Sequence, residues 1–86
     1  MAVKQLTIEI PEKVLLAEKM DEQSFARETR MLTAVKLFEL GRLSSGRAAE
    51  LAGVPQVEFL LSLNRYHVFP LAAELDDLEA EHADRN

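Results

Sequence analysis

An 86-residue chain that is 48% hydrophobic, with a formal net charge of −5, has the composition of one small globular domain rather than a disordered polymer. It has no cysteine, which excludes a disulfide framework and a thiolate metal site. No run approaches the roughly 18 apolar residues of a membrane span, and MAVKQLTIEI shows no signal peptide, so a cytoplasmic protein is expected.

The first element reads as a β-strand. Between Val3 and Ile10, Leu6, Ile8 and Ile10 point one way while Gln5, Thr7 and Glu9 point the other, the period of a half-buried strand. Pro11 stops it and suits the first turn of a short helix, roughly Pro11 to Met20, with Glu12 near the positive helix end. Either Asp21 or Ser24 caps the next helix, a long central one that runs from Ser24 to Leu40. Gly41 is its natural left-handed stop, and Leu43 is placed to fold back as the hydrophobic contact.

In the second half of that helix, Met31, Leu32, Ala34, Val35, Leu37, Phe38 and Leu40 spread around almost the whole circumference. A helix apolar on nearly every side needs burial on nearly every side. A chain this short has little to surround it, and a lone strand leaves its hydrogen-bonding edges open. A two-fold homodimer meets both needs, with the strands pairing across the axis and the long helices packing together. Leu6, Ile8, Ile10, Leu32, Val35 and Phe38 are then its interface. A second short strand at Tyr66–Phe69, inside the same chain, is the other way to close the edge.

A helix-turn-helix-like pair follows. Ser44 or Ser45 caps a helix to Ala52, Gly53 permits the turn, Val54 plugs it, and Pro55 and Gln56 open a further helix with Phe59, Leu60 and Leu63 inward. Ala49, Gly53 and Val54 have the spacing of a small residue, a turn glycine and a core aliphatic. On the exposed face of the second helix, Gln56 and Asn64 are candidates to read adenine, while Arg42, Arg47 and Arg65 are candidates to clamp phosphates. Val57 and Leu61 are poor readers of bases, and Glu58 repels phosphate. Through the strand, Gln5, Thr7 and Glu9 are a rival DNA surface, again with an acidic residue of the wrong sign.

Pro70 introduces an acidic C-terminal segment, so that residues 1–70 form the domain and residues 71–86 a helix or tail. Six acidic side chains and one basic one lie in residues 71–86, which account for the whole net charge. Leu71, Leu75 and Leu78 make one apolar stripe there, the candidate partner-binding element. Catalytic chemistry is thin. His67 and His82 have no spacing that builds a metal site, and Asp76 and Asp77 point about 100° apart on a helix. There is no glycine-rich phosphate loop. Neither an enzyme nor a bound metal or cofactor is expected.

The run AVKLFELGRLSSGRAAELAGVPQVEFLLSLNRYHV, Ala34 to Val68, resembles the signature of uncharacterised protein family 0175. Its Ala-x-x-Leu-aromatic segment ending in glycine is matched by Ala34, Leu37, Phe38 and Gly41, its Leu-Ser step by Leu43 and Ser44. The paired alanines, Ala-Gly and Phe-centred helix are matched by Ala48, Ala49, Ala52, Gly53 and Phe59, and the N-terminal Ile-Pro by Ile10 and Pro11. Members are often encoded beside PIN-type nucleases. The resemblance therefore implies an antitoxin that binds and silences a toxin, with repression of the shared promoter as a further role. It supplies no catalytic residues. A DNA-binding transcriptional regulator with no toxin partner is the alternative, and a purely structural interaction module is a third.

The expected architecture is thus mainly α: one N-terminal strand, a long central helix, a helix-turn-helix-like pair and an acidic tail, assembled as a strand-paired dimer.

Overall fold

The computed structural model describes residues 2–68. Among them the elements run α1 (Glu12–Glu18), α2 (Glu22–Glu39), α3 (Ser45–Ala52), α4 (Gln56–Ser62) and a 3₁₀ turn, Leu63–Tyr66. The helices start where their first amides find acceptors. Asp21, rather than Ser24, caps α2: the Ser24 amide donates to Asp21 Oδ1 at 2.7 Å. At α3 the Arg47 amide donates to Ser44 Oγ at 3.3 Å. Pro11 and Pro55 precede α1 and α4, where a missing N–H costs nothing.

The helices stop by one device. At the end of α3 the Val54 amide donates to the Ala49 carbonyl at 3.1 Å, and the Gly53 amide to Glu50 at 3.2 Å. Gly53 sits at φ 77°. That paired pattern satisfies carbonyls which the helix leaves open and needs a left-handed residue at the corner. The same pattern ends α2 at Gly41, φ 75°, with Arg42 donating to Leu37. It also ends α1 at Lys19 and the 3₁₀ turn at His67, both at φ 57° without a glycine.

Packing runs from α2 to α3 and from α3 to α4. Alanines line the closest approach: Ala34, Ala48 and Ala49 are buried, so the helix backbones meet with little between them. Phe38 and Phe59 close the core edge to face, ring centroids 5.7 Å apart at 88°, a contact worth about 0.5–1.5 kcal/mol beyond its area. Leu63 and Val68 complete the cluster, with Leu43 and Val54 packed against it.

The N-terminal strand is not formed. Among the described residues there is no β-strand, and residues 2–10 make a limb without regular structure. The strand-paired dimer falls with it. A period of two tells which side chains share a side, but a strand exists only when its backbone groups have a partner. The described residues offer none: Tyr66 lies in the 3₁₀ turn and His67 is left-handed, so the alternative second strand is absent from residues 66–68 as well. The alternation itself survives, since Leu6, Ile8 and Ile10 line one groove. The central helix is also less enclosed than its composition implied. Only Ala34, Val35 and Phe38 are buried, while Leu32 and Leu40 stay exposed.

Candidate functional site

The α3–α4 corner is where the sequence placed its candidate contacts. Its turn is fixed from two sides. Gln56 Nε2, in the first turn of α4, donates to Ser45 Oγ in the first turn of α3 at 2.8 Å, and Ser45 is fully buried. From the other side Arg30 of α2 reaches over: its Nε donates to the Leu51 carbonyl at 2.8 Å, at the negative end of α3. The Arg30 guanidinium also lies across Gly53, where an added Cβ would sit 3.3 Å from Nη2. Arg30 thereby ties the long helix to the corner.

These contacts decide which polar groups face outward unengaged. Gln56 is half-buried and its amide is spent within the corner, which removes half of a bidentate grip on adenine. Arg47 pairs with Glu50 at 3.2 Å on the surface of α3. Arg65 lies over the Tyr66 ring, 5.8 Å from its centroid. Arg42 is exposed just past the end of α2, and Asn64 is exposed in the 3₁₀ turn.

The outward face of α4 itself is apolar. Val57 is 47% exposed and Leu61 75% exposed. Four residues apart, they stand one above the other on the helix. Glu58 is exposed beside them. Sequence reading set Val57 and Leu61 aside as poor base readers, offered Ser45 only as an alternative cap to Ser44, and missed Arg30. Arg30 acts 21 residues along the chain from its acceptor, a separation that no local pattern encodes.

The other candidate residues separate. Leu6, Ile8 and Ile10 line an open groove of about 620 Å³ together with Phe25, Ala26 and Leu51. Leu32 is exposed on α2, whereas Val35 and Phe38 belong to the chain's own core. Leu71, Leu75 and Leu78 lie outside the described residues. Among the described residues no cluster of carboxylates and histidines is placed to hold a metal ion, and no helix is long and apolar enough to cross a membrane.

The sequence matches the model of an uncharacterised protein family, UPF0175, over residues 1–85. It is also similar to a protein described as "UPF0175 protein" from Archaeoglobus fulgidus, 37% identical over 60 residues that cover 70% of this chain and 68% of that one. No solved structure matches it.

Proposed function

The chain belongs to the uncharacterised protein family UPF0175, and on that premise we propose an antitoxin-like regulatory protein that binds and silences a partner, a PIN-type nuclease, without catalysis of its own. The outward face of α4 supports this reading. A helix that reads DNA presents hydrogen-bonding and cationic groups to base edges and phosphates. This one presents Val57 and Leu61 with Glu58 alongside, and its Gln56 is already bonded to Ser45. Apolar side chains ringed by charge are the anchors of a protein contact. The described body adds no cationic field to draw DNA, having nine basic and nine acidic residues. The stripe of Leu71, Leu75 and Leu78 is the second contact in this reading, its acidic flanks suited to the basic rims of a nuclease.

Repression of a shared promoter, or regulation of DNA with no toxin partner, is the second reading. Arg42, Arg65 and Asn64, all exposed around the corner, favour it. The test is enzymatic on the partner's side. A PIN-type nuclease encoded beside this chain should lose its cleavage of nucleic acid when one equivalent of the chain is added. A nuclease that neither binds the chain nor slows in its presence would overturn the proposal.

A further inference from the structure

We propose that the groove between the N-terminal limb and α2 is filled by the limb of a second copy of this chain. No side chain from Ala2 to Met20 is buried, although this stretch carries Val3, Leu6, Ile8, Val14 and Leu16. Leu6 is 88% and Ile8 63% exposed. An apolar limb so poorly covered by its own body gains by docking elsewhere. The groove offers the matching surface, its floor built by Phe25 and Ala26 of α2 and by Leu51 of α3.

Charge selects the occupant. Along the limb, Lys4 and Glu9 bracket Leu6 and Ile8; along the groove, Glu22 and Arg30 bracket Phe25 and Ala26. With the limb laid parallel to α2, Lys4 meets Glu22 and Glu9 meets Arg30, opposite in sign at both ends. Among the described residues none of these four takes part in an ion pair. Lengths agree too. The five steps from Lys4 to Glu9 span at most about 17 Å, and the eight steps from Glu22 to Arg30 about 12 Å of helix, a difference that long side chains absorb. Every copy has both the limb and the groove, so a two-fold axis satisfies both at once. A strongly cationic or anionic partner would find no single sign to answer. The contact is side-chain packing against a helix face, with no ladder between limbs.

Sedimentation velocity on the full chain tests this, with Leu6→Glu/Ile8→Glu as the variant. The wild type should sediment as a dimer at micromolar concentration. The variant should weaken dimerisation about a hundredfold or more, since two apolar side chains per copy are lost from the contact. Both positions are exposed, so the helical circular dichroism should be unchanged. The chain has no cysteine, which permits a second readout: mixing single variants Leu6→Cys and Ala26→Cys should give a disulfide between chains. Val57→Asp/Leu61→Asp should leave the dimer intact, which separates this contact from the α4 face. A monomeric wild type, a dimer that survives the double glutamate variant, or no mixed disulfide would overturn the proposal.

Discussion

Asp21 does its work as a carboxylate. The Ser24 amide and hydroxyl beside it hold its carboxyl below the ordinary 3.8, because both stabilise the charged form. A depressed folded pKa means the stabilisation is complete above the unfolded value and is lost as pH falls through the folded one. The unfolding midpoint of the protein should therefore drop on acidification below about pH 4, and Asp21→Asn, which keeps a capping oxygen but cannot titrate, should flatten that part of the profile. An identical acid limb in the variant would mean that other carboxylates carry it. Gly53 makes a second demand at this scale. At φ 77° a side chain is strained by about 1–2 kcal/mol, and Gly53→Ala would also push the Arg30 guanidinium, 3.3 Å away, off the corner. Urea denaturation should show that loss; an unchanged midpoint would contradict it. Such positions were partly legible. Gly41, Gly53 and Ser44 advertise stops and starts by residue type, whereas Lys19 and His67 adopt the same left-handed turn with side chains that give no notice. There the turn is carried by its backbone hydrogen bonds, whose gain exceeds the strain.

The elements follow sequence where a pattern is local and fail it where a pattern needs a partner. Caps, prolines and glycines placed α2, α3 and α4 to within about two residues, the usual precision of such ends. The apolar alternation from Val3 to Ile10 placed Leu6, Ile8 and Ile10 on one side but could not supply a second strand. At the α2–α3 crossing the decisive property is smallness: Ala34 and Ala48 are fully buried and Ala49 nearly so. Ala49→Leu should overpack this crossing at a cost of about 1–3 kcal/mol. A melting curve unchanged by the substitution would mean that the helices are not so closely set. The crossing is also clamped by Arg30. Arg30→Met keeps the aliphatic stem but removes the donor to Leu51, and should cost about 0.5–1.5 kcal/mol, the range of one exposed hydrogen bond. The sequence could not announce this, because guanidinium and carbonyl come from different helices.

At the scale of the molecule, charge and apolar surface are divided. Residues 2–68 are balanced, and the net −5 belongs to the C-terminal segment beyond them. Residues 2–68 already hold a core of their own, from Ala34 to Val68, and in the proposed reading deletion of residues 71–86 should leave the thermal transition near that of the full chain while reducing affinity for the nuclease. A truncated chain that unfolds would show that Leu71, Leu75 and Leu78 are core; one that binds as before would place the contact wholly in the body. The candidate site was half legible. Its position at the corner follows from the spacing of Ala49, Gly53 and Val54. Its character does not, because only the folded chain shows that Gln56 turns inward to Ser45 while Val57 and Leu61 turn out. The central claim, that this face meets protein rather than bases, is tested most directly by one paired titration. The nuclease and a duplex carrying the promoter are each titrated with the wild type, with Leu61→Asp and with Arg42→Ala/Arg47→Ala/Arg65→Ala. Burying Leu61 in the contact is worth about 1.5–3 kcal/mol, so Leu61→Asp should weaken nuclease binding at least tenfold, while the triple variant binds the nuclease nearly as the wild type does. Nuclease affinity unchanged by Leu61→Asp, together with tight duplex binding whose salt dependence collapses in the triple variant, would contradict it.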